Sequence, residues 1–418
     1  MSSASGSLLF HRDFRRLWVG DAASQIGATT SLFTLPLVAT TALRATPFQV
    51  GLVSAALTAS FLAFGLPAGA LLDRVRRRPV LILADAGRAL ALGSLPAAAA
   101  FGLLSLAQLY AVALGYGVLT VCFDVAYQSY LPHLVGWDRL VEGNAKLAAT
   151  QSAAEMGGPT VGGFAVQVLS ASYAVVANAA CFAWSAAWIW RIRKREPKPA
   201  AEPGRNLGRE IVEGLRFVLG HRQLRAIAGC TGAANLFRTA TQPMMIVLLS
   251  SELHLRAGTV GLFFTVGAVG GIAGAFFARR IAGSLGHGRV IWVSMACAGP
   301  FALLTPLAHD DWRLWLAAMG EFGVLFGSAV YNVAQVSFRQ WLCPERLLGR
   351  VNATMRFFVW GTMPLGAFAG GALASMVGVR PVLWVAAAGM TVTFVPVFLS
   401  PLRSMRGLPE PVDRGRAA

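Results

Sequence analysis

Charged and amide side chains recur inside long apolar runs of this chain, the setting in which they cost most. Asp21, Asp85, Arg88 and Asp124 fall in the outer third of such runs, and Glu155, Arg238 and Glu321 fall near the middle of theirs. A charge at mid-bilayer costs about 2.5–3.5 kcal/mol on insertion scales, so it normally faces a partner or a wet cavity. The polar residues also share helical faces. Glu321, Ser328, Asn332 and Gln335 fall on one face, as do Asn235, Arg238 and Gln242, then Asp21 with Gln25, and Asp124 with Gln128. Polar stripes on otherwise apolar helices imply a common aqueous cavity, with Tyr127, Phe237, Phe322, Tyr331 and Trp360 beside it. The chemistry open to such a cavity is proton exchange by a carboxylate that desolvation makes more basic. Glu155 and Glu321 lead as carriers of that proton, with Asp21 and Asp124 behind them. The plainer alternative is structural ion pairing, of Arg88 with Asp85 or Asp124 and of Arg238 with Glu321.

Only membrane helices could position these residues. Of 418 residues 56% are hydrophobic and 13% charged, against about 25% charged in soluble domains. A bilayer core needs about 20 apolar residues per helix. Twelve runs fit, near 17–43, 48–72, 79–104, 107–131, 144–168, 171–190, 225–250, 257–278, 289–308, 312–338, 350–377 and 380–400. The expected fold is an all-α polytopic membrane protein. The net charge of +17 follows the same topology. Of the 36 Lys and Arg residues, 29 fall on one side, and the opposite loops hold only Arg44, Arg256, Arg313 and Arg380. Cytoplasmic loops retain such residues, so both termini and the central loop are expected in the cytoplasm, and no nucleic-acid partner is implied. The basic N-terminus lacks the short apolar core of a cleaved leader. The abundance of Arg over Lys, with Ala and Gly, suggests a GC-rich bacterium and its plasma membrane.

Residues 191–224 form the only long polar segment, Pro-rich at first and then amphipathic through Leu207, Ile211, Leu215, Val218 and Leu219. This linker divides a six-span bundle over 1–190 from another over 225–402, with a tail over 403–418. The halves echo each other: Leu140, Asn144, Ala145, Gly162 and Gly163 recur at constant spacing as Leu348, Asn352, Ala353, Gly370 and Gly371. Two parallel six-helix repeats around a midplane site are a transporter plan. Small residues four apart let helices approach closely in lipid. Gly65 and Gly69 are expected to meet Gly366 and Gly370, and Ala154, Gly158 and Gly162 to meet Gly267 with Gly271, or Gly270 with Gly274.

Two motifs carry a family resemblance across essentially the whole chain. GALLDRVRRRP, residues 69–79, resembles the loop signature of the major facilitator superfamily, with Arg76 where a glycine usually sits. EMGGPTVGG, residues 155–163, resembles the fifth-helix motif of the superfamily's antiporters through Gly158, Pro159, Gly162 and Gly163. FRRLWVGDAASQIG, ADAGRAL and FDVAYQSYLPHLV are similar to its drug, macrolide and siderophore exporters. The resemblance implies twelve helices in two pseudo-repeats and a conformational latch at Asp73, Arg74 and Arg77. It also implies proton-coupled efflux of a small amphipathic molecule by alternating access, without a cofactor. Nutrient uptake on the same fold, and a membrane scaffold or sensor, are the competing readings. No nucleotide-binding loop appears, and neither the six histidines nor the five cysteines show metal-ligand spacing, so no enzyme activity and no metal are expected. A monomer is expected.

Overall fold

A computed structural model describes residues 8, 11–72, 75–136, 139–169, 171–194, 196, 207–286, 288–343 and 345–405. No strand occurs among them. The first six spans are α1 (Arg12–Thr41), α2 (Pro47–Leu72), α3 (Arg77–Ala100), α4 (Leu106–Val135), α5 (Leu140–Leu169) and α6 (Ala171–Trp190). A linker helix, α7 (Leu207–Gly220), precedes α8 (Arg222–Val247), α9 (Ala257–Leu285), α10 (Arg289–Ala302), α11 (Arg313–Leu342), α12 (Glu345–Val377) and α13 (Val379–Val392), with a short α14 (Val395–Phe398) completing the last span. Helix ends follow local chemistry. Ser105 caps α4 by accepting from Gln108 N at 3.3 Å, and Gly378, at φ 89°, makes the turn between α12 and α13.

Nine helices among the described residues are both long and apolar enough to cross a membrane. The remaining three spans, α1, α5 and α8, have 30, 30 and 26 residues, which at 1.5 Å per residue is ample length. They fall short in hydropathy alone, because they carry Asp21 and Gln25, Gln151 and Glu155, and Asn235, Arg238 and Gln242. Two of the four polar stripes, on α1 and α8, lie in these less apolar spans.

Packing repeats in the two halves. In the first, α1 lies on α5 and α6, α3 on α4 and α6, and α2 on α4. In the second, α8 lies on α12 and α13, α10 on α11 and α13, and α9 on α11. The halves meet along two seams, α2 with α12 and α5 with α9. These are the helix pairs expected from the small-residue stripes, but other glycines make the contact. A Cβ on Gly163 would stand 2.5 Å from the Ala257 carbonyl oxygen and 2.9 Å from Gly261 Cα. On the other seam, a Cβ on Gly371 would stand 2.9 Å from Gly51 Cα and 3.0 Å from the Pro47 oxygen. Gly163 and Gly371 are repeat-related, so the seams are two copies of one glycine-on-glycine crossing.

The expected stripes turn inward instead. Gly158 and Gly162 pack on α1: a Cβ there would stand 2.5 Å from Thr29 Oγ1 and 3.0 Å from Thr30 Cγ2. Gly366 and Gly370 face Leu236 and Ala240 of α8 in the same way, and Gly267, Gly270, Gly271 and Gly274 face α11. The surroundings of Gly65 and Gly69 lie outside the described residues. The cause is angular. Successive helix positions turn by about 100°, so Gly162 and Gly163 necessarily serve different neighbours.

The two ends of the bundle differ. At the end away from the termini, one apolar cluster joins both halves through Phe33, Val53 and Val166 on one side and Leu248, Val260 and Phe264 on the other. The Phe33 and Phe264 rings meet edge to face at 5.6 Å. Ser250 donates to Thr40 Oγ1 at 3.2 Å, and Gly258 N donates to Gln167 Oε1 at 2.9 Å, so Gln167 caps α9 from the other half. At the terminal end the apolar core splits into one cluster per half. The ion pairs of Arg16 with Asp13 and of Arg77 with Glu196 at that end lie within the first half. Among the described residues, no apolar cluster joins the two halves at that end.

Candidate functional site

Four helices aim polar residues at the cleft. On α5, Ala154, Gly158 and Gly162 face α1, while Pro159 and Gly163 face α9. Gln151 and Glu155 lie between those two faces and are exposed, so they point into the space between the halves. Gln151 Nε2 donates to Glu155 Oε1 at 3.0 Å. From α11, exposed Asn332 accepts from Gln335 Nε2 at 2.9 Å. From α1, half-buried Gln25 reaches Asp21 Oδ1 at 3.3 Å. Asn235 on α8 turns partly away and donates to the Val359 oxygen of α12 at 3.4 Å.

Arg238 and Glu321 line one cavity inside the second half, with Phe237, Gln242, Met245 and Phe264. The cavity encloses about 470 Å³, part of it open to the surroundings. Glu321 lies along Gly267, where a Cβ would come within 2.5 Å of its Cγ. No direct ion pair joins Glu321 to Arg238, whose side chain is exposed. The cavity thus offers both signs of charge against aromatic and thioether walls, a setting for an amphipathic molecule rather than a bare ion.

The first half holds its charges in a dry cluster. Arg88 and Asp85, 1% and 0% exposed, form an ion pair, and Arg88 Nη2 also donates to Ser24 Oγ at 3.3 Å. The guanidinium carbon lies 4.5 Å from the ring centres of both Phe123 and Phe182. A planar cation between two rings is well matched by their electron-rich faces. Asp21, 1% exposed, sits beside this pair, with Asp124 and Tyr127 of α4 nearest to it. The side chain of Gln128 lies outside the described residues.

The expected latch is placed only in part. Asp73 and Arg74 lie outside the described residues. Arg77 Nη1 pairs with Glu196 Oε1 at 3.2 Å, while Arg77 N and Arg78 N donate to Glu196 Oε2 at 2.7 and 3.1 Å. Glu196 thereby satisfies the first N–H groups of α3 and meets the positive end of its dipole. Next to it, Lys194 Nζ donates to the His133 oxygen at 2.7 Å, and Asp13 accepts from Lys194 N at 3.1 Å. The stretch from Arg191 to Glu196 therefore straps α1, α3 and α4 together. The sequence reading passed over Glu196. Its one signal was a lone acid closing the basic run RIRKRE.

A two-lobed bundle of twelve membrane-spanning helices, with a polar cleft sealed at one end, defines a membrane transporter of the alternating-access type. The chain belongs to the transmembrane secretion effector family of the major facilitator superfamily, whose profile matches residues 4–412. It is similar to the enterobactin exporter EntS of Citrobacter koseri, 26% identical over 312 residues that cover 73% of this chain and 72% of that one. Its likeness to EntS of Shigella dysenteriae serotype 1 is 25% over 357 residues, covering 84% and 82%. Among solved structures, the nucleoside transporter NupG aligns with a TM-score of 0.74 at 11% identity, covering 93% of this chain and 99% of that one. A bacterial homologue of the iron transporter ferroportin, in an inward-facing state, aligns at 0.74 and 15% identity, covering 93% and 98%. These two likenesses show the shared fold. The protein is a multi-pass secondary transporter and not an enzyme.

Proposed function

We propose that this protein exports a small, amphipathic, siderophore-like molecule from the bacterial cytoplasm across the plasma membrane, in exchange for protons. The observation that carries the reading is the cleft itself. Polar residues of α1, α5 and α11, drawn from both halves, are set toward the space between the halves, which apolar packing seals at the end away from the termini. The basic bias of the terminal end makes that end cytoplasmic, so the cleft faces the compartment in which a cargo for export is made. The relatives named as exporters support the direction. The cleft is complete within one chain, which supports a monomer as the working unit. Arg238 holds an acidic or hydroxyl-rich group of the cargo, Glu321 a donor group, and the Phe237 and Phe264 rings its apolar body.

Everted membrane vesicles containing the protein test this. With an acid interior, they are expected to accumulate enterobactin, and collapsing the pH gradient should abolish the accumulation. Arg238→Gln is expected to lower uptake at least fivefold, chiefly by raising KM. Vesicles that accumulate neither enterobactin nor any member of an amphipathic drug panel would sink the proposal.

A further inference from the structure

We propose that Asp21, with Asp124 beside it, is the proton-carrying site of this transporter, set in the opposite half from the Arg238–Glu321 cargo cavity. The inference rests on the reading of a proton-coupled exporter and names the group that couples it.

The first argument is a charge count. Among the described residues, the charged or titratable groups around Asp21 are Asp85 and Arg88 from α3 and Asp124 and Tyr127 from α4. From α6 come Ser185 and Cys181, packed on Gly20 and Gly27 of α1, and from α5 comes Thr150, bonded to Trp18 at 2.9 Å, so neither helix adds a charge. The single cation in this set, Arg88, is committed to Asp85. Asp21 is 1% exposed and accepts from the Gln25 amide, and the other polar group set beside its carboxylate is the neutral Tyr127 hydroxyl. An ionised carboxylate in that position would be desolvated with no cation of its own, which disfavours the charged form. Binding a proton removes that charge.

The second argument comes from the internal repeat. Thr29 on α1 and Thr239 on α8 correspond: each hydroxyl bonds the carbonyl four residues back, at 2.9 and 2.7 Å, and each packs on a repeat-related glycine, Gly158 or Gly366. That register places Asp21 opposite Thr231. Aligning the 30-residue helices α4 and α11 end to end places Asp124 opposite Tyr331. Thr231 and Tyr331 are hydrogen-bonded to each other at 2.6 Å. The second half therefore joins the equivalent helices with a neutral hydroxyl pair. Two acids are not needed to hold this crossing together, and their presence in the first half calls for another role.

The exchange needs no chemistry beyond one proton transfer. With the end away from the termini sealed, Asp21 holds its proton against the buried face of α4. Half-buried Gln25 stands beside it. When water reaches the carboxylate past Gln25, the proton leaves to that water, and the carboxylate left behind is stabilised by solvation. Glu155 is already exposed and does not have to take a proton to sit where it does, whereas Glu321 shares its cavity with the Arg238 cation and Asp21 has no cation of its own.

The full chain in liposomes tests the site in two ways. Infrared difference spectra over a pH titration are expected to show the carbonyl band of a protonated carboxyl group, and Asp21→Asn should remove it. Asp21→Asn should also cut pH-driven enterobactin accumulation at least tenfold while leaving enterobactin exchange at equal pH intact. The double variant Asp21→Thr with Asp124→Tyr, which copies the second half's pair, should fold and be equally uncoupled. A band unaffected by Asp21→Asn, or pH-driven accumulation that survives it, overturns the proposal. So does uncoupling by Glu155→Gln or Glu321→Gln but not by Asp21→Asn. If the wild-type chain does not move enterobactin, the cargo reading fails, and the infrared titration still decides Asp21.

Discussion

The two ends of the bundle are held by different kinds of contact. Away from the termini, the halves touch each other through apolar side chains, neutral hydrogen bonds and glycine crossings. At the terminal end, among the described residues, ionic and charge-assisted contacts run within the first half, from Glu196 to α3 and from Lys194 to α4. The difference separates what must part from what must stay. A contact between halves that is made and broken each cycle works best when neither partner is left as a stranded charge, whereas charge-assisted bonds suit a lobe that moves as one body.

The largest test of that division falls on the glycine crossing. Gly163→Leu puts a side chain where a Cβ already meets the Ala257 oxygen at 2.5 Å, and backbone cannot yield as a flexible side chain can. Transport is expected to drop to background with the protein still inserted, as read by vesicle uptake and surface labelling. Gly157→Leu, with nothing within 4 Å of its Cβ position, should be tolerated. A middle-sized effect is expected at the apolar seal. Phe264→Ala removes the ring that meets Phe33, which favours opening of the sealed end. Spin-label distances between the ends of α1 and α9 at that face should lengthen or broaden, with turnover down severalfold. The smallest effect belongs to the strap. Glu196→Gln keeps the acceptor for the α3 N–H groups and loses the ion pair, so a cost of about 1 kcal/mol in thermal stability is expected, with little change in transport. A transport loss equal to that of Gly163→Leu would break the comparison.

The twelve spans were legible because membrane insertion selects for hydropathy and length, which one sequence displays. The helices that meet at the seams were also legible, from small residues at similar depths. Which glycine makes each contact was not. α5 has neighbours on two faces about 100° apart, and spacing alone cannot say which face belongs to which neighbour. The Gly-x-x-x-Gly pair at 158 and 162 serves α1, and Gly163 alone serves the other half. Arg88 with Asp85 could be read from their spacing of three on one helix. The pairing of Arg77 with Glu196 could not, since it depends on where a non-helical segment crosses the bundle. The nearness of Asp124 to Asp21 needed the packing of α1 on α4, and the neutral counterpart in the other repeat gives it its meaning.

The segment between the halves is shared out rather than slack. Its first stretch, through Glu196, is bonded to α1, α3 and α4, while α7 packs on α12 and α8, with Val218 fully buried in the second half's core. Only residues 197–206 lie between these two anchored pieces. A chain severed there would leave each fragment carrying its own portion of the connector as part of its interior. The two fragments would be joined solely by the seams, so co-expressing them measures how much of the assembly the glycine crossings and the apolar seal sustain unaided.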